Sequence, residues 1–280
     1  MGNFIAFAGL LMMGLMILSQ LPICRGFISS TITRNYLSST TASCTQSPTP
    51  TPTPTPTPPL IYTSSCSMIP PSSSWPPLQS LRADLRDAGL YRWPPHVNLL
   101  YPFVPPQKFP QVSHLLSSKL KSFKPFRVQF NTFETFGTDK RGVLWLKPTY
   151  PDTPTETLTT LQSILSSTLP YCTHQLKNGV FTPHMTVSHF SSESAALSAG
   201  EEIEFEGVDF LVDRVYLMSR NGAGGQFKVG AEVVFGEEEP MLHIEPKAFE
   251  GMPEEEFEWV AVERKELQQR RKRKQRRKNS

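Results

Sequence analysis

Two histidines of this chain stand in matching surroundings. Pro95-His96-Val97-Asn98-Leu99 returns 88 residues later as Pro183-His184-Met185-Thr186-Val187, and each copy runs Pro, His, apolar, small polar, apolar. Histidine is scarce, six in 280 residues, so two in equivalent contexts form a repeat rather than background. An imidazole has an ordinary pKa of about 6.5, so near neutral pH one can accept a proton while a second donates one. Displacement at a phosphate needs both acts together: a base for the attacking oxygen and an acid for the leaving oxygen. Charge also grows on the non-bridging oxygens, which the Asn98 amide and the Thr186 hydroxyl are able to hold. His96 and His184 are therefore the candidate catalytic residues, and Asn98 and Thr186 the candidate phosphate-binding residues. This chemistry requires no metal and no cofactor, and none is expected.

Strands must position these groups. Side chains alternate along a strand, so His96 and Asn98 share one face while Val97 and Leu99 point the other way. His184, Thr186 and Ser188 share a face opposite Met185 and Val187. Around them the patterning predicts strands over 60–69, 96–104, 126–136, 143–147, 182–190, 210–219 and 226–235. Pro70-Pro71 ends the first strand. Helices are expected from a Ser74 cap to about 88, where Gly89 stops the chain, and over 110–122, 155–169 and 193–199. Each half of the domain thus carries a helix, a histidine strand and a flanking hairpin, and the pairing order stays open.

Other candidates read as ordinary structure. Gly222-Ala223-Gly224-Gly225 lacks the Lys-Ser/Thr and helix of a phosphate loop and reads as a hairpin turn. His189 falls on the Met185/Val187 face, as a packed or rim residue. His114 reads as a solvent-facing helix residue and His174 as a loop residue. With no carboxylate joining the histidines, no zinc set is expected. Tyr101, Phe103 and Phe181 flank the histidine strands and are candidates for stacking on a nucleobase.

The paired motifs resemble those of the 2H phosphoesterases, also called 2′-5′ RNA ligase-like or LigT-like proteins. The wider likeness lies in His96-Val-Asn-Leu-Leu-Tyr-Pro-Phe103 and Phe181-Thr-Pro-His-Met-Thr-Val-Ser-His-Phe190. Ser67-Met-Ile-Pro-Pro71, Trp75-Pro-Pro-Leu-Gln-Ser-Leu-Arg82 and Gly142-Val-Leu-Trp-Leu-Lys-Pro148 are similar to a eukaryotic branch of that family. The resemblance covers roughly residues 60–236. It implies an α+β, bilobal, pseudo-twofold fold with two antiparallel-rich sheets, flanking helices and a central cleft. It also implies action on RNA-derived 2′,3′-cyclic or 2′-5′ phosphodiesters, with His96 and His184 as acid and base in either assignment. Asn98 departs from the Thr or Ser of the broad family. Two other readings stand beside this one: an RNA-end or phosphate-binding module without turnover, and a 2′-5′ RNA ligase.

Composition divides the chain. Apolar residues are 38%, low for a wholly globular chain, and 27 prolines crowd its early part. Residues 1–26 hold an apolar run that reads as a secretory signal peptide or an uncleaved signal anchor. Residues 27–59 are rich in Ser, Thr and Pro, and no Asp or Glu precedes Asp84. Signal plus transit-like segment resembles the bipartite presequence of proteins sent to complex plastids; the alternatives are membrane anchoring or, with the signal unused, a nuclear address. The Thr-Pro repeat is an extended spacer. Residues 60–236 form the domain. Residues 237–280 read as an acidic then polybasic tail, largely without fixed structure past any helix near 254–269, net +8 from 263 onward in a chain of net +3. The tail is able to grip RNA phosphates but, lacking aromatics, not to read bases. Cys66 and Cys172 are too few for a disulfide framework and are expected as free thiols. The protein is expected to be monomeric, with membrane contact only if the first segment is an anchor.

Overall fold

A computed structural model describes residues 58–153 and 157–262, together with Lys265 and Gln269. The readings of 1–26, of nearly all of 27–59 and of most of the polybasic run fall outside these residues. Among the described residues no helix is long and apolar enough to cross a membrane.

Nine strands and four α-helices alternate along the described chain: β1 Ser64–Met68, α1 Trp75–Asp84, β2 Val97–Leu100, α2 Phe109–Leu120, β3 Phe126–Thr138, β4 Arg141–Thr149, α3 Thr157–Thr168, β5 Met185–Phe190, α4 Glu193–Glu201, β6 Val208–Val212, β7 Arg214–Ser219, β8 Lys228–Val234 and β9 Met241–Lys247. They form two antiparallel sheets, ordered β2-β1-β7-β8-β9 and β5-β4-β3-β6. The fold is thus the expected α+β arrangement of two antiparallel sheets with helices. The histidine strands β2 and β5 are edge strands, one in each sheet, and they approach each other.

The sheets are not the two sequence halves. The first sheet takes β1 and β2 from the first half and β7, β8 and β9 from the second; the other takes β3 and β4 from the first and β5 and β6 from the second. The exchange happens at Asp213, where one residue separates β6 in one sheet from β7 in the other. A single strand over 210–219 is therefore incorrect. Phe210 and Val212 point inward, then Val215 and Leu217 do, and this one-residue slip of phase marks the crossing. One core serves both sheets: Met68, Val97, Leu99, Phe130, Leu146, Met185, Val187, Val215 and Leu217 belong to it, with Leu116 and Leu120 of α2 and Leu161 and Leu165 of α3. Cys66 and Cys172 are buried free thiols.

Two further boundaries move. Helix α1 ends at Asp84 rather than near 88. Arg86 adopts φ 50°, its N–H reaches Ala83 O at 3.0 Å, and the Asp87 N–H reaches Arg82 O at 2.8 Å. That is a Schellman C-terminus with an arginine where glycine is usual. The sheet also continues past Gly236, because β9 adds to β8 and Phe249 packs on Trp75. Every residue of β9 except the half-buried His243 is exposed, so no apolar alternation marks this strand in the sequence.

Candidate active site

His96 and His184 each occupy the residue just before an edge strand. The repeat extends into the backbone. β2 pairs Asn98 with Ser67 and Leu100 with Cys66, skipping Leu99; β5 pairs Thr186 with Trp145 and Ser188 with Leu144, skipping Val187. Each histidine strand therefore has a bulge at the equivalent residue, again 88 positions apart. A bulge re-aims the residues beside it and increases local twist. It also ends the simple alternation: Ser188 is buried and donates to Leu85 O at 2.9 Å, rather than lining a face with His184 and Thr186. His189 is turned outward, 55% exposed, with Nδ1 3.6 Å from Asp87.

Both imidazoles are held in the same way. His96 Nδ1 lies 2.8 Å from Pro94 O, and His184 Nδ1 lies 2.9 Å from Thr182 O, in each case two residues upstream. A carbonyl can only accept, so Nδ1 carries the hydrogen in both rings. The neutral ring then presents the lone pair of Nε2. Burial pushes the His96 pKa down to about 3; the Pro94 carbonyl opposes this, and the nearby Arg82 and His184 charges add to it. Burial also lowers His184, against the pull of the Thr182 carbonyl. The strands that follow the two rings, β2 and β5, approach each other across the two sheets.

Aromatic rings wall each histidine. Trp93 stacks on His96, with centroids 4.4 Å apart and planes at 13°. Phe136 and Trp145 meet His184 edge-on at 5.1 and 5.9 Å and stack on each other at 4.5 Å. Such walls exclude water and fix ring orientation.

Asn98 is oriented by a chain of hydrogen bonds. Ser65 and Ser67 of β1 donate to its Oδ1 at 2.6 and 2.9 Å, and its Nδ2 lies 2.9 Å from His96 Nε2. Since Nε2 is bare in the neutral ring, the amide N–H is the donor. Thr186, the counterpart of Asn98, is half-buried two residues beyond His184.

The C-terminal turn of α1 ties both histidine strands to one helix. Arg82 and Asp87, with side chains 4% and 3% exposed, form an ion pair of 2.8 Å. Arg82 also donates to Trp93 O at 3.0 Å, next to the Pro94 that holds His96, while Asp87 faces His189 of β5. Burial pushes the Asp87 carboxyl up, but Arg82, His189 and the Gly89 N–H together hold it at about 2.

Among the other residues predicted from sequence, Phe103 and Phe181 are corrected. Both lie in the core, Phe103 with no exposed surface, so neither has a face for a base. Neither lies within its histidine strand: Phe103 follows the end of β2 and bridges to Ile61, and Phe181 precedes the start of β5. Tyr101 is half-buried, and its hydroxyl donates to Tyr62 O at 3.1 Å. His114, half exposed, pairs with Glu239. Among the described residues no group of three or more His, Cys, Asp or Glu is placed to hold a metal ion. Ser65, Ser67, Arg82 and Asp87 were not evident from the sequence. The Ser-Cys-Ser alternation of β1 was the available signal for the first two; the ion pair depends on the unforeseen turn at Arg86.

The sequence matches the 2′-5′ RNA ligase superfamily over residues 70–224. Among solved structures, the chain is similar to Escherichia coli LigT complexed with 3′-AMP, at 16% identity and a TM-score of 0.41 over 66% of this chain and 99% of that one. It is also similar to Escherichia coli LigT complexed with NADP+, at 17% identity and TM-score 0.41 over 62% and 97%. For the protein TT0787 of Thermus thermophilus the values are 16% and 0.41 over 62% and 98%. No curated protein matches it. With more than half of its length covered by the family match, the chain belongs to the 2′-5′ RNA ligase superfamily.

Proposed function

We propose that this protein is a phosphodiesterase that acts on RNA-derived 2′,3′-cyclic or 2′-5′ phosphodiesters by acid–base catalysis at His96 and His184, without a metal ion. The observation that carries this reading is the shared tautomer. Two neutral imidazoles on facing sheet edges, each donating Nδ1–H to the carbonyl two residues back, both present Nε2 for proton transfer. The bond from Asn98 favours the bare lone pair of His96, which suits it as the base that takes the proton of water or of a ribose hydroxyl. For turnover His184 enters as the imidazolium, protonated at Nε2 as well as at the Nδ1 held by the Thr182 carbonyl, and gives the Nε2 proton to the departing oxygen while His96 keeps the proton it took. The second N–H of Asn98 and the Thr186 hydroxyl hold the non-bridging oxygens. Similarity at 75–82 and 142–148, and Asn at 98, support a place in the eukaryotic branch.

The test is to incubate the full-length protein in EDTA with 2′,3′-cyclic mononucleotides and with 2′-5′- and 3′-5′-linked oligonucleotides. Hydrolysis of a cyclic or 2′-5′ substrate that survives chelation is expected. Turnover that appears only on adding a divalent cation overturns the mechanism. The same Asn98 bond favours one second reading, a binding module in which the base is permanently occupied. Tight binding of 2′-phosphorylated RNA with no product after long incubation is its signature.

A further inference from the structure

Outside the histidine pair lies a polar cavity of about 420 Å³ below the β7–β8 hairpin, lined among others by Tyr91, Arg220, Asn221, Gln226, Lys228 and Glu245. Arg220 sits at the end of β7 with its guanidinium carbon 5.7 Å from the centre of the Trp93 ring and 4.7 Å from that of Phe227. Trp93 is the ring that stacks on His96, so a single indole separates the cavity's arginine from the candidate base.

The guanidinium bonds to neutral oxygens: Ala223 O at 3.0 Å and Tyr62 O at 3.4 Å, with the Tyr101 phenol beside it. Its Nε is buried with no hydrogen-bond partner among the described residues. Burial and the neighbouring Arg92 charge both work against the cation, and among the described residues no carboxylate compensates them. Lys228 adds a second, exposed cation to the lining, and Glu245 is the one carboxylate there among the described residues. A half-buried arginine on an aromatic face, with no carboxylate partner among the described residues, is poised to receive an anion, and phosphate fits its planar fork.

We propose that Arg220 and Lys228 form a subsite for the phosphate that neighbours the reacting one, making the protein selective for oligonucleotides over cyclic mononucleotides. This deepens the function proposed above and rests on it for the position of the reacting phosphate. Trp93 fixes both the base His96 and the subsite cation Arg220, so the register between the two phosphates is set by one ring.

The probe is a fluorescent trinucleotide with a 3′-terminal phosphate, which the protein does not need to cleave. Its binding to the full-length protein is followed by anisotropy over a salt series. The variants are Arg220→Gln, Arg220→Lys and Lys228→Gln, each checked by thermal melting. Arg220→Gln is expected to weaken binding about tenfold and to flatten the slope of log K against log salt by about 0.7, the loss of one single-strand phosphate contact. Arg220→Lys, which keeps the charge, retains most of the affinity. If Arg220→Gln does not fold, Lys228→Gln on the exposed wall carries the test, with a loss of about threefold expected, in the range of a screened surface cation. The ratio of kcat/KM for a trinucleotide 2′,3′-cyclic phosphate over that for the cyclic mononucleotide should fall with the same variants. Unchanged affinity and salt slope in the folded variants, or a wild type that binds trinucleotide no tighter than mononucleotide, overturns the subsite. A wild type that binds the trinucleotide through Arg220 but cleaves nothing leaves the subsite standing and removes the hydrolytic reading instead.

Discussion

Asn98 donates its amide N–H to His96 Nε2 at 2.9 Å, while Ser65 and Ser67 donate to the far end of the same amide. The order of donors is forced from one end. Pro94 O can only accept, so His96 Nδ1 holds the proton, Nε2 is bare, and the amide must turn its nitrogen toward the ring. Were the ring protonated, two N–H groups would oppose each other. The network therefore favours the same neutral base that burial imposes on His96.

Asn98→Asp reverses that logic. A carboxylate beside Nε2 favours the imidazolium, so the base becomes available only at higher pH. The acid limb of kcat/KM is expected to move up by about one to three pH units, the usual effect of an adjacent opposite charge. A pH–rate profile in which the limb stays in place would show that Asn98 does not govern the base.

Loss of either imidazole should be severe and similar. His96→Ala and His184→Ala are each expected to lower kcat/KM about 10²–10⁴-fold, the span of a general acid or base, in proteins that remain folded at pH 7.5. Steady-state kinetics on a cyclic phosphate decide it; full activity in either variant ends the two-histidine mechanism.

Much of this site was legible in the sequence because the information was local. Pro95-His96-Val97-Asn98 and its copy report their own alternation, and six histidines in 280 residues made the coincidence informative. What was not legible depends on residues far apart or on backbone geometry. Ser65 and Ser67 meet Asn98 only because β1 pairs with β2 across more than thirty residues. Phe103 lies seven residues beyond His96 and so looked like part of the rim, but it turns into the core. Nor was the strand pairing legible: at Asp213 a slip of phase in an otherwise regular apolar alternation carries the chain from one sheet to the other, within what reads as one strand over 210–219.

The buried ion pair under the site gives a stability prediction. Removing Arg82 leaves the Asp87 carboxylate, 3% exposed, without its main partner. Arg82→Ala should cost about 3–5 kcal/mol in denaturant unfolding, the range for breaking a buried pair. Removing both charges with apolar residues of similar size should recover most of that loss, since desolvation of both ions is then avoided. Because Arg82 also holds Trp93 O at 3.0 Å, the repaired protein is expected to fold well yet turn over slowly. A double variant with normal activity would show that the clamp serves stability alone.

Stability and catalysis then depend on pH through the same ring. His96 titrates near 3 in the folded protein against about 6.5 when unfolded. Between those values the unfolded chain binds more protons than the native one, so stability is fully present above about 6.5 and declines as pH falls toward 3. Asp87, held at about 2, acts in the same direction only lower down, as pH falls below its ordinary value of about 3.9. His184, also lowered, adds to the upper part of the decline. Unfolding midpoints measured from pH 7.5 to 4 should therefore fall steadily in the wild type. In His96→Gln, which cannot titrate, the fall across this window should be shallower. A wild type whose midpoint is flat from pH 7 to 5 would mean that His96 is not held neutral by its surroundings, and the assignment of His96 as the base would lose its electrostatic support.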